Sequence, residues 1–165
     1  MAGSSTEHAF SQLTQELDTP MFIATAHAAG ERSGCLVGFA TQVSIHPPRF
    51  LVCISVKNHT HRVALAAPSI GIHIVPDGET ELAELFGGET GDEVDKFDRT
   101  AWHAAPDGTP LLDGCPDRFV GRVVDRLELG DHTGIVLEPV HAEYRGERHQ
   151  LSMQRALAID PGHEP

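Results

Sequence analysis

Apolar residues fall mostly in short β-prone runs closed by glycine, proline or aspartate, with only brief stretches at helical spacing. Phe10, Leu13 and Leu17 stand at helical spacing and predict a helix that starts at Thr6 or its neighbours and ends before Pro20. Met21 to His27 (MFIATAH) reads as a strand, AAGERSG as a turn, and Cys35 to Ile45 as the second strand of a hairpin. His46-Pro47-Pro48 lacks ladder donors at its prolines and marks a corner. Phe50 to Val56 (FLVCISV) is apolar without a break, the pattern of a strand buried on both faces.

THRVALAA, from Thr60, predicts a short helix capped by Thr60 or Asn58 and stopped before Pro68. Ile70 to Val75 reads as a strand, and Glu79 to Phe86 as a helix closed by Gly87-Gly88 with Leu82, Leu85 and Phe86 on one face. Thr90 to Asp113, polar and turn-rich around Trp102, reads as a long covering loop. Phe119 to Leu129 and Thr133 to Tyr144 form a hairpin across Gly130-Asp131. Arg148 to Met153 adds a last short strand, and the tail from Ile159 frays. The sum is a mainly β fold with short helices: six or so strands in a closed or nearly closed antiparallel barrel, one domain over 1–165 with its core at about 20–153.

Composition narrows the partners. A net charge of −12 argues against nucleic acid and against anionic membranes, which select basic patches. One tryptophan and one tyrosine give no stacking surface for single strands. No apolar run approaches the ~20 residues of a membrane span, and the start MAGSSTEHAF lacks the features of a signal peptide. Cys35, Cys53 and Cys115 are odd in number and widely spaced, which points to free thiols in a reducing cytoplasm.

Three stretches carry candidate chemistry. SVKNHTHR, Ser55 to Arg62, brings Lys57, His59, His61 and Arg62 to a helix start, with Ser55, Asn58 and Thr60 as neutral donors. Free N–H groups at such an end favour an anion, so this is a phosphate cradle or an ordinary capped helix with solvated charges. His59 and His61 also have a spacing seen in metal sites, but no third ligand accompanies them and no metal is assigned. In SGCLVGFATQ, Gly34, Gly38 and Ala40 remove side chains, which suits either a planar ligand gripped by the main chain or close strand packing. His132, just past the Gly130-Asp131 turn, could deliver a proton or polarise a substrate group, or simply lie on the surface. No GxGxxG, Walker, GxSxG or HExxH motif is present.

Taken in order, SGCLVGFATQVSIHPPRFLVCIS, KNHTHRVA, VDKF (Val94 to Phe97) before Trp102, GTPLLDGCPDRFVGRV and GDHTGIVLEPV resemble the flavin reductase-like family of FMN-binding split barrels. The resemblance covers about Pro20 to Tyr144 and implies a six-stranded antiparallel split β-barrel, a homodimer, and FMN bound near the subunit interface. It implies that NADH or NADPH reduces the flavin, with reduced FMN passing to a partner monooxygenase; a flavin carrier or regulatory module without reductase activity is the alternative. Carried onto this chain, Val37, Gly38, Phe39, Ala40 and Thr41 would lie along the isoalloxazine ring. Ser55, Val56, Lys57, Asn58, Thr60 and His61 would hold the ribityl chain and phosphate, and His132 would act catalytically at the reactive face. The chain departs from the family at Leu36, Val37, Gly38 and Phe39, where hydroxyl side chains are frequent, so backbone N–H groups would have to replace those donors.

Overall fold

The computed structural model describes residues 4–91, 93–146 and 149–160. The first hairpin joins β1 (Phe22–Ala28) to β2 (Glu31–Val37) across Ala29 and Gly30, whose φ values of 51° and 78° form the left-handed pair that matches strand twist. The predicted turn AAGERSG is therefore only two residues long, and its Glu31 to Gly34 half belongs to the strand. The expected single strand Cys35 to Ile45 is two strands, β2 and β3 (Ala40–Ser44), broken at Gly38-Phe39. β4 (Arg49–Ser55) follows the proline corner, in which the His46–Pro47 bond is cis. β5 (Ser69–Ile74), β8 (Arg118–Glu128) and β9 (His132–Glu143) complete a seven-stranded antiparallel sheet in the order β2-β1-β5-β8-β9-β4-β3.

Seven strands replace the expected six because the 35–45 run is divided. Its two halves occupy opposite edges of the sheet yet are joined by Gly38 and Phe39 alone, so the sheet must curl until its edges meet at that corner. Among the described residues no ladder pairs β2 with β3. β6 (Trp102–Ala104) and β7 (Pro110–Leu112) form a separate two-stranded sheet.

Among the described residues four α-helices decorate the sheet. α1 (Ser5–Gln15) starts at Ser4, where Ser4 Oγ accepts from Glu7 N and Glu7 Oε2 accepts from Ser4 N. It stops at Gln15 and leaves Phe10, Leu13 and Leu17 exposed. α2 (His59–Ala66) is capped by Asn58, as expected, and packs Val63 and Ala64 onto β1 and β2. α3 (Thr80–Gly88) lies against β2, where the missing side chain of Gly34 admits Phe86: an added Cβ would stand 2.7 Å from Phe86 Cε1. The expected strand 148–153 is instead two isolated bridges, at Gln150 and Ser152, followed by α4 (Met153–Ala156). Arg148 and the tail from Pro161 lie outside the described residues. No described helix is long and apolar enough to cross a membrane.

Two apolar clusters sandwich β1. Phe22, Ala24 and Ala26 join Val52, Ile54, Ile70, Ile72, Ile135 and Leu137 inside the curl, while Met21 and Ile23 join Leu82, Phe86, Phe97 and Leu112 outside it. β1 and β5 are thus the strands buried on both faces. β4 is not: Val52 and Ile54 are buried, but Leu51 and Cys53 are half-buried because their face opens on a groove rather than a second layer. The segment 90–113 is likewise more than a cover. Phe97 stacks edge-on against Phe86 and Trp102 at 5.7 and 5.5 Å, and Leu111 and Leu112 are core residues.

Gly71 of β5 is a tight point of this packing. A Cβ there would overlap Thr25 Oγ1 and stand 3.1 Å from Pro110 O, the two atoms joined by a buried 2.6 Å hydrogen bond. Gly71→Ala is expected to break that bond and overpack the seam, lowering stability by about 2–3 kcal/mol and Tm by about 5–10 °C. Thermal unfolding followed by circular dichroism checks this, and an unchanged Tm would mean that the β5–β7 seam is loose.

Candidate functional site

β4 ends at Ser55, and the chain turns there into α2. Ser55 O accepts from Asn58 N at 3.0 Å, Ser55 Oγ accepts from Lys57 N at 3.3 Å, and Asn58 Oδ1 accepts from Thr60 N at 2.9 Å. This turn holds Asn58 at the common wall of three adjoining hollows. The first, about 190 Å³, lies against the β2–β3 corner and is lined by Val37, Gly38, Phe39, Cys53, Ser55 and His132, among others. The second, about 340 Å³, shares Leu36 and Met153 with it and runs toward Phe86 and Gly87. The third is small and polar, bounded by Lys57, His59, Glu89, Thr90 and the backbone of Gly87 and Gly91, with the Glu89 carboxylate paired to Arg99 at 3.0 Å.

Six of the residues predicted for the cofactor and for catalysis therefore share one hollow: Val37, Gly38, Phe39, Ser55, Asn58 and His132. Ser55 and His132 are cross-strand partners on β4 and β9, which is why residues 77 positions apart face the same ligand space. Lys57 meets Asn58 at the polar end. The remaining predicted residues go elsewhere. Ala40 and Thr41 lie beyond the corner on β3, and Thr41 Oγ1 reaches Gln42 O. Thr60 is buried, its Oγ1 2.8 Å from Ser33 Oγ. Val56 and His61 face a separate cleft, where His61 Nε2 lies 2.8 Å from Thr133 Oγ1. His59 turns away from His61 to Glu31 Oε1 at 2.9 Å, so the pair does not converge on a metal.

Cys53, Phe86, Gly87, Thr90 and Met153 join the groove without having been singled out from sequence as site residues, and Leu36, named only as a departure from the family, joins it too. Only Cys53 carried a signal, since period 2 along β4 puts it on the face of Ser55. Met153 reaches the groove from the far end of the chain and fills the space a side chain at Gly38 would occupy.

The groove is neutral at its wide end and polar at the other. Burial pushes the Cys53 thiol up and carries the Cys35 thiol to about 11, so neither is a thiolate near neutral pH. Glu31 is held below the usual carboxylate range chiefly by the hydrogen bond from Arg62, and that ion pair takes Arg62 out of the predicted cradle. His132 Nδ1 lies 2.7 Å from Asp131 Oδ1, and this contact keeps the Asp131 carboxyl low. The imidazole also packs on Phe39, ring centroids 5.1 Å apart and planes tilted by 50°. Such a groove suits an elongated ligand: a planar ring against apolar side chains and sulfur at one end, an anion at the amide- and lysine-lined other.

Known proteins carry the same architecture. An FMN reductase (NADH), RutF, of Ancylobacter novellus is 29% identical over 135 residues, 82% of this chain and 74% of the relative. The reductase component of an FADH(2)-dependent resorcinol hydroxylase of a Rhizobium species is 26% identical over 123 residues, 73% of this chain and 68% of the relative. The structure of an NADH:FAD oxidoreductase of Streptomyces globisporus superposes with a TM-score of 0.81 at 22% identity, over 92% of this chain and 90% of the other. The model of the flavin reductase like domain matches residues 14–157. The chain belongs to the flavin reductase like domain family.

Proposed function

We propose that this protein is an NADH-dependent flavin reductase that binds FMN in the groove at the β2–β3 corner. The observation that carries the reading is the convergence of Val37, Gly38, Phe39, Ser55, Asn58 and His132, drawn from three parts of the chain, on one hollow that continues to Lys57. The groove fits FMN by its donor set: apolar walls of Val37, Phe39 and Met153 for the ring, Asn58 beside the ribityl chain, and Lys57 with nearby amides for the phosphate. Bound there, FMN would supply the two-electron acceptor that takes the hydride of NADH at N5. The chain's own part is to hold the ring flat against β2, exclude water with Phe39 and Met153, and orient the donor through His132.

The reading extends to a single split-barrel domain working in the cytoplasm as a homodimer and passing reduced flavin to a separate monooxygenase. The curled sheet and three cysteines in the thiol form support it. So do the exposed apolar side chains of Phe39, Val43, Ile45 and Leu129, and a relative named as the reductase component of a hydroxylase.

The test is spectral. Protein mixed with FMN and titrated anaerobically with NADH, and separately with NADPH, should bleach the flavin band near ~450 nm. A band that persists through both titrations would sink the reductase and leave a flavin carrier. Lys57→Ala should raise the FMN dissociation constant about tenfold, the range of one lost charge-assisted phosphate contact. An unchanged constant by fluorescence quenching would place the phosphate elsewhere.

A further inference from the structure

On the other side of His132 from the flavin groove lies a hollow of about 670 Å³, between α2 and the far end of the β8–β9 hairpin. His132 lines both spaces, so a ligand occupying one can reach into the other past a single imidazole. Val56, Leu65 and Leu127 give the hollow an apolar surface, and all three are partly exposed. His61 and Arg126 bring nitrogen donors, while Glu128 is the acid on the same wall.

Arg126 differs from most of the chain's described arginines. Arg32, Arg49, Arg62, Arg99, Arg118, Arg122 and Arg155 each pair with a carboxylate. Arg126 instead donates through Nη2 to Ala67 O at 3.2 Å, at the C-terminal end of α2, and among the described residues it makes no ion pair. In a chain where 24 acids face 12 bases, a guanidinium steadied by a carbonyl and turned to a hollow is placed for an external anion. Burial pushes the His61 imidazole below its ordinary value, so Arg126 carries the positive charge there near neutral pH while His61 braces Thr133.

We infer that this hollow receives the ADP half of the nicotinamide donor, with Arg126 on its pyrophosphate and the apolar wall beneath its adenine, while the nicotinamide passes His132 into the flavin groove. The inference rests on the proposed reductase reading for the donor's identity, but the anion site stands on its own residues. The AMP half of FAD has the same chemistry. It would leave the groove at the opposite end, by Lys57 and Asn58, because the proposed reading puts the flavin phosphate there.

The experiment compares wild type with Arg126→Ala using NADH, reduced nicotinamide mononucleotide, ADP-ribose and FAD. The KM for NADH and the calorimetric Kd for ADP-ribose should each rise about tenfold, the loss of one charge-assisted contact at an accessible site. The KM for the mononucleotide, which lacks the ADP half, should not move. Equal changes for NADH and the mononucleotide, or none for NADH, would overturn the inference, as would ADP-ribose failing to bind wild type. A loss confined to FAD would give the cleft to the flavin and overturn it equally. ADP-ribose that binds through Arg126 in a protein unable to oxidise NADH would keep this site and defeat the reductase reading instead.

Discussion

Replacing His73 by alanine is expected to destabilise the fold by about 4 kcal/mol and to remove much of its sensitivity to mild acid. His73 is fully buried in β5 and joins three elements. Its Nδ1 lies 3.0 Å from Ile23 O on β1, and its Nε2 lies 3.0 Å from Leu112 N on β7. A carbonyl can only accept and an amide can only donate, so the ring must be neutral, with its proton on Nδ1. Alanine leaves both backbone groups buried without a partner, each a loss of about 1–3 kcal/mol, and opens a cavity besides.

Burial, helped by the nearby Arg118 cation, pushes the His73 imidazole down to about 4 from its ordinary 6.5. Because the folded value is depressed, the unfolded chain takes up a proton first as the pH falls. The contribution of neutral His73 is therefore complete above pH 6.5 and is lost as pH falls toward 4, about 3 kcal/mol across that window. Glu31 and Glu143, held low mainly by Arg62 and Arg118, add their own losses at the acid end. Urea unfolding at pH 7.5, 6, 5 and 4.5 should show wild type losing stability in steps that His73→Ala lacks. Parallel curves for the two proteins would assign the acid sensitivity to carboxylates alone.

How much of this was legible in the sequence depended on whether a signal was local. The β8–β9 hairpin was readable because Gly130, at φ 114°, and Asp131 interrupt two long alternating runs. Asn58 was readable as a cap for the same kind of reason. The break at Gly38 was not. It sits within a continuous β-prone run, and what divides the run is that β2 and β3 belong to opposite edges of a curled sheet. Phe97, Leu111 and Leu112 were hidden in a polar, turn-rich segment whose core role appears only once Phe86 and His73 are beside it.

The cradle at Ser55 to Arg62 shows the limit most directly. Successive helical residues point about 100° apart, so cationic side chains dense in sequence disperse in space. Thr60 turns inward to Ser33, His61 toward β9, His59 and Arg62 toward Glu31, and Lys57 stays at the groove. The flavin groove, by contrast, gathers residues through strand pairing, which no local pattern announces.

That pairing makes His132 the residue whose loss should most affect turnover. It enters the groove opposite Ser55 and lies against Phe39. The Asp131 carboxylate accepts from Nδ1, which leaves Nε2 as the ring's remaining hydrogen-bonding atom. A side chain so held, at the meeting of the proposed flavin groove and donor cleft, would act on the encounter of two rings rather than on the affinity for either. His132→Ala should lower kcat with NADH by about 10², the range for a positioned polar or acid–base group, while the FMN dissociation constant changes by less than about threefold. His132→Gln, which keeps a donor and an acceptor on a flexible stem, should recover part of the loss. Stopped-flow bleaching of bound flavin separates these outcomes, because it reads the reductive step after binding is complete. A parallel fall in FMN affinity would make His132 a wall of the flavin site, and an unchanged reductive rate would remove it from the chemistry altogether.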